Sequence, residues 1–171
     1  GDIFGEMLDP LAGQKDLEQG LLRVLHPRSF VDDPTRILRA IRYEARYSFK
    51  LEPSTLSLIN TETLAILSKL SGERIRHELD LILEEENSTE ILSRLTDLDI
   101  FPSLPSFNKK YASLLNSTPS DDLQIPHSQL LLGYTLWFLD SSSEKIRALA
   151  KRLDFSTELT NTVVTAIQLR S

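Results

Sequence analysis

The stretch from Asp32 to Arg46, DDPTRILRAIRYEAR, opens on two carboxylates and a proline and carries four arginines at helical spacing. A guanidinium is a planar fork of fixed N–H donors, suited to phosphate groups and to the edges of nucleobases. On a helical wheel Arg36, Arg39, Arg42, Arg46, Tyr43 and Tyr47 fall on one side. Ile37, Leu38, Ala40, Ile41 and Ala45 fall on the other. Cations interleaved with aromatic rings are what a surface needs to hold a nucleotide or a nucleic acid. The same pattern also fits a solvated amphipathic helix whose arginines pair with nearby acids. Asp33 and Pro34 supply the helix start. Aspartate is a favoured N-cap, and proline fits the first helical position, where its missing N–H costs nothing.

No complete catalytic machinery accompanies this helix. The absence of cysteine excludes disulfides, thiolate chemistry and cysteine-ligated zinc. There is no glycine-rich phosphate loop and no Gly-x-Ser-x-Gly elbow. His26, His77 and His127 are scattered at spacings unlike those of metal ligands, and ordinary polar roles are expected for them. Asp32 and Asp33 are neighbours at a helix start, so they do not converge on one metal. Phosphoryl transfer needs a metal clamp on the polyphosphate, and these residues do not build one. By its own residues the chain is not a whole enzyme, and no metal site is expected in it.

The elements that must position the arginines are helical almost throughout. At 171 residues the chain can form one core or two small helical subdomains. Helical patterns run from Asp16 to Leu25, from Pro34 to about Phe49, and from Thr55 to Leu70 with a break near Asn60. Another follows a Ser71 cap, with Ile75, Leu79, Ile82 and Leu83 on one face, and a further one spans Ser88 to about Leu98. Residues 102 to 126 contain Pro102, Pro105, Pro119 and Pro126 among serines and asparagines, with one short helix around Asn108 to Leu115. That stretch is the best boundary candidate. Three more helices fit Ser128 to Leu139, Ser143 to Leu153 and Thr157 to Arg170. The fold class is therefore all-α, an irregular helical bundle. Glu6-Met7-Leu8 reads as one short strand, which cannot be stable alone and points to a larger sheet upstream.

The net charge of −6 argues against general nucleic-acid affinity. Basic residues nevertheless outnumber acids from Lys15 to Lys50, whereas Glu84, Glu85 and Glu86 form an acidic run, so phosphate contacts should concentrate in the first third. No apolar run reaches the ~18–20 residues of a membrane span, so no membrane partner is expected and a cytoplasmic location is.

Three motifs occur in one order: Gly13 with Asp16-Leu17 and Arg23; Ser29-Phe30 with Asp32-Asp33-Pro34-Thr35-Arg36-Ile37-Leu38-Arg39-Ala40-Ile41-Arg42-Tyr43; and Ser71-Gly72-Glu73-Arg74-Ile75-Arg76-His77-Glu78-Leu79. Together they resemble the neck of the class II (bacterial-type) tRNA nucleotidyltransferase and poly(A) polymerase family, the CCA-adding enzymes, over roughly residues 5 to 102. The resemblance implies residues 1–15 as the remnant of a head domain and a hinge, 16–102 as the neck, and 103–171 as a helical body. It implies a template-independent enzyme that adds C, A or both to tRNA or other RNA 3′ ends, with CTP and ATP as substrates. The metal-binding carboxylates and the expected Mg2+ would belong to the head, so this piece should be inactive alone.

In the family the second carboxylate and the arginine of this motif present acceptors and donors to the edge of the incoming base. Those roles fall on Asp33 and Arg36, with Arg39 and Arg42 contacting the nucleotide or its phosphates. Asp32 stands where the family often has glutamate, which keeps the charge and shortens the reach. Glu73, Arg74 and Glu78 read as a helix start that buttresses the neck. The alternative function is a helical RNA-binding module without nucleotidyl transfer, which would not discriminate CTP, ATP and UTP.

Overall fold

A computed structural model describes residues 9–116 and 128–169. The short strand expected at Glu6-Met7-Leu8 lies outside them, as do residues 117–127 of the proline-rich stretch. The regular elements of the described chain are helices and two two-residue strands. Helix α1 (Gly13–Glu18) leads to β1 (Leu21–Leu22), and the single turn α2 (Ser29–Asp32) leads to α3 (Thr35–Arg46). After β2 (Lys50–Leu51) come α4 (Pro53–Ser57), α5 (Thr61–Ser68), α6 (Gly72–Leu83) and α7 (Ser88–Asp97). A 3-10 turn at Lys109–Tyr111 and α8 (Ala112–Asn116) precede α9 (Ser128–Phe138), α10 (Ser143–Arg152) and α11 (Thr157–Gln168).

The helix expected from Asp16 to Leu25 stops at Glu18. Gly20 takes a left-handed conformation, φ +62°, which breaks the helix without steric cost. The chain then turns extended, and Leu21–Leu22 pairs in parallel with Lys50–Leu51. Lys50 donates to the Gly20 carbonyl at 2.7 Å and Glu52 to the Leu22 carbonyl at 3.0 Å. Helical spacing of leucines therefore gave way to long-range pairing. The break expected near Asn60 is a capping box: the Asn60 side chain accepts from Glu62 and Thr63 N–H groups, and Thr63 Oγ1 accepts from Asn60 N–H.

Three helices end on a non-glycine residue in the left-handed region: Ser48 after α3, Asp99 after α7 and Asp154 after α10. In each, the next N–H reaches back to a carbonyl one turn inside: Phe49 to Glu44, Ile100 to Leu95 and Phe155 to Ala150, at 2.8–3.0 Å. Each pattern satisfies carbonyls that a helix end would otherwise orphan, and puts an apolar side chain just past the end. This is why α3 stops before Phe49.

Helix α3 lies against α6 and α7. Ile37, Leu38 and Ile41 are fully buried against Leu79, Ile82, Leu83, Ile91 and Leu92. The buried cluster continues without interruption into α9–α11 through Tyr134, Phe138, Ile146, Val163 and Val164. Tyr134 Oη donates to Asp80 Oδ1 at 2.6 Å, and burial, helped by the Asp80 charge, pushes the phenol pKa far above its usual value. It therefore stays a donor and ties α9 to α6.

Ser71 precedes α6 as expected, but its side chain makes no cap hydrogen bond. The fit at this helix start comes instead from Gly72, where an added Cβ would meet the Arg152 carbonyl and the Leu153 carbonyl carbon at the end of α10. Arg152 Nη2 in turn donates to Ser68 and Leu70 carbonyls at 2.7 and 3.0 Å. Helix propensity alone would make Gly72→Ala stabilising by up to ~1 kcal/mol. The backbone contact reverses the sign: we expect a loss of about 1–3 kcal/mol and a lower Tm. A raised Tm would contradict the packing of α10 on the start of α6.

Candidate functional site

The site is built around Asp33, between α2 and α3. Asp33 is extended (φ −144°, ψ 98°), and its N–H donates to the Ser29 carbonyl at 3.2 Å. Its Oδ1 accepts from Thr35 N–H (3.1 Å), Thr35 Oγ1 (2.7 Å) and Arg74 Nη2 (3.2 Å). Its Oδ2 accepts from Arg39 Nη2 at 3.3 Å and lies 4.0 Å from Arg36 Nε. Burial alone would raise the Asp33 pKa. The Thr35 hydroxyl and N–H, with the Arg39 and Arg74 guanidinium groups, outweigh it and hold the carboxyl below its ordinary value. It is an ionised acceptor: one oxygen takes the N–H of Thr35, the first residue of α3, while the other has a single direct donor among the described residues.

Arg36 is held differently. Its Nη1 donates to Ser29 Oγ at 2.9 Å and to the Ser29 carbonyl at 3.4 Å. The side chain is 44% exposed, so its other N–H groups remain available beside the Asp33 carboxylate. Arg39 is fixed from the opposite direction. Its Nε donates to Glu78 Oε1 at 2.8 Å and its Nη2 to Thr35 Oγ1 at 2.7 Å, while the side chain stays 40% exposed. The hydrogen bond to Glu78 leads the causes that raise its pKa.

Arg42 does not share that exposure. Its side chain is 9% exposed and its Nη1 donates to Glu85 Oε1 at 3.0 Å, an oxygen also 3.5 Å from Arg46 Nη1. Four residues after Leu38, Arg42 lies only about 40° round the helix from that core position, at the border of the apolar face. The guanidinium also sits 5.0 Å from the centre of the Tyr43 ring. The expected face of four arginines is thus two half-exposed guanidinium groups at the helix start, one buried one, and Arg46 beyond. Asp32 lies apart from them, 47% exposed near His26 and Arg28.

Reading the sequence alone left out Ser29, Thr35 and Glu85 as partners, and gave Arg74 and Glu78 only a buttressing role. Arg74 and Glu78 do buttress, through direct contact with Asp33 and Arg39. Their one-turn spacing on α6 was the available signal. Among the described residues no group of three or more His, Asp or Glu side chains could hold a metal ion.

Residues 48–111 match the family described as the probable RNA and SrmB-binding site of polymerase A. The A-adding tRNA nucleotidyltransferase of Halalkalibacterium halodurans is 39% identical over 104 residues, covering 59% of this chain and 24% of that protein. The CCA-adding enzyme of Lactiplantibacillus plantarum is 31% identical over 96% of this chain and 41% of its own length. A CCA-adding enzyme solved in complex with ATP superimposes with TM-score 0.77 at 32% identity, covering 91% of this chain and 40% of that one. The chain is similar to tRNA nucleotidyltransferases that add A or CCA. It spans well under half the length of these relatives.

The Asp33 network makes a pH-dependent contribution to stability. A carboxyl whose folded pKa is lowered stabilises fully above its unfolded value, near ~3.9, and loses that contribution as pH falls through the folded value. The protein should therefore melt above its Asp33→Asn variant at pH 7, and the gap should close below about pH 4. A gap that holds or widens on acidification would show that ionised Asp33 does not anchor the network.

Proposed function

We propose that this chain is the base-selecting and RNA-binding part of a template-independent tRNA nucleotidyltransferase that adds C, A or both to RNA 3′ ends. The observation that carries the reading is the pair at the start of α3. Asp33 Oδ2 and Arg36 Nε lie 4.0 Å apart, each side chain fixed from behind and partly open in front. Cytosine and adenine both present an exocyclic amine beside a ring nitrogen acceptor. A carboxylate accepts from the amine and a guanidinium donates to the ring nitrogen or carbonyl. Uracil and guanine present a carbonyl and a ring N–H at those places. The mismatch leaves two charged groups unpaired, at ~1–3 kcal/mol each.

Arg39 and Arg42 complete the proposed nucleotide site. Arg39 can add a phosphate contact to its carboxylate partners, whereas Arg42 reaches a nucleotide only if Glu85 releases it, which makes it the weakest of the four. Residues 1–15 are assigned to the end of a head domain and a hinge, 16–102 to the neck and 103–171 to the body. The transfer itself is assigned to that head, with Mg2+ as the ion that would activate the reacting oxygens. The described residues here do not fit such an ion, so their part is binding and orientation. The RNA partner is tRNA or another RNA 3′ end, and the setting cytoplasmic; among the described residues no helix is long and apolar enough to cross a membrane.

An NMR titration tests the reading on this chain. CTP and ATP should shift the resonances of Arg36 and Arg39 clearly more than UTP does at equal concentration. Equal shifts from all three would favour an RNA-binding module that does not select bases.

A further inference from the structure

We propose that Ser29 is a positioning residue for base selection, fixing Arg36 through its hydroxyl and Asp33 through its carbonyl so that both meet the base in one register. The inference rests on the reading of Asp33 and Arg36 as the base-selecting pair. An arginine side chain in water spreads over many rotamers, and a binding site that uses it must restrict them. Among the described residues Arg36 has one ionic neighbour, Asp33 at 4.0 Å, beyond hydrogen-bond distance. Ser29 supplies the missing anchor. Its Oγ lies 2.9 Å and its carbonyl oxygen 3.4 Å from the same nitrogen, Arg36 Nη1. That carbonyl also accepts the Asp33 N–H at 3.2 Å.

Ser29 is itself well placed to act as an anchor. It is 5% exposed, its N–H donates to the His26 carbonyl at 3.1 Å, and the neighbouring Phe30 is 1% exposed in the core. A surface serine would gain nothing from such burial, and a purely structural one would have no reason to receive a half-exposed guanidinium. Holding Nη1 alone also leaves the rest of the fork open. One edge of Arg36 is clamped and the other is presented beside the carboxylate.

The test uses the complete enzyme, this chain together with its catalytic head, in single-nucleotide addition assays. Ser29→Thr and Ser29→Val have nearly the same shape and differ in the hydroxyl. Ser29→Val should raise KM for CTP and ATP about tenfold, the scale of a hydrogen bond to a charged group, with a smaller effect on kcat. Its preference for CTP and ATP over UTP should fall by a similar factor. Ser29→Thr should stay close to the parent, and the two should melt alike; Ser29→Ala gives the same readout with a smaller side chain if valine disturbs folding. The proposal is overturned if Ser29→Val and Ser29→Ala select nucleotides as Ser29→Thr does. Arg36→Ala separates the two claims. If it loses selectivity while the Ser29 variants keep it, only the role of Ser29 fails; if it too keeps selectivity, the base-selecting pair fails and Ser29 with it.

Discussion

Glu78 projects from α6 with its side chain 5% exposed, and one of its oxygens is buried without a hydrogen-bond partner among the described residues. A carboxylate taken that far out of water costs several kcal/mol unless a cation meets it. Arg39 meets it at 2.8 Å, and this places α3 at one position along α6. From there the order propagates by shared atoms. Arg39 Nη2 binds Thr35 Oγ1, Thr35 Oγ1 donates to Asp33 Oδ1, and Asp33 Oδ1 also takes Arg74 from the same helix α6. The start of α3 is thereby held by ionic and hydrogen-bonded contacts on its polar side and by Ile37, Leu38 and Ile41 on its apolar side.

Helices α9 and α10 are joined to this assembly through close contacts with α6. Gly72 lets α6 begin against the end of α10, and Asp80 receives Tyr134 of α9. Arg76 also donates to the Asp154 carbonyl. Helix α6 therefore carries three duties on different faces. It supplies the core leucines, it holds the charged partners of α3, and it docks α9 and α10. A network whose members share partners responds to mutation as a unit, so effects at Asp33, Arg39, Arg74 and Glu78 will not add.

Much of this was legible in the sequence because it is local. Asp33-Pro34 marks a helix start, Asn60 a break and the spacing of Ile75, Leu79 and Ile82 a buried face, each within one or two turns. What escaped was set by partners distant in the chain. Leu21 and Leu22 leave helical conformation because Lys50 and Leu51 offer a strand, and Arg39 is anchored by Glu78 thirty-nine residues on. Arg42 looked like part of an open cationic face because a wheel ranks residues by angle and cannot show Glu85 waiting at the border. The end of α3 carried no glycine, since Ser48 takes the left-handed position, so its stop before Phe49 had no local marker. Ser29 was visible only as part of a motif; its role needs the approach of Arg36.

The central claim is that Asp33 and Arg36 touch the edge of the incoming base. A crystal structure of the complete enzyme with CTP bound tests it most directly. The cytosine N4 amine should lie within about 3 Å of an Asp33 carboxylate oxygen and the ring N3 or O2 within about 3 Å of an Arg36 nitrogen. A base lodged elsewhere, with Arg36 still engaged only by Ser29 and Asp33 only by Thr35, Arg39 and Arg74, would contradict it.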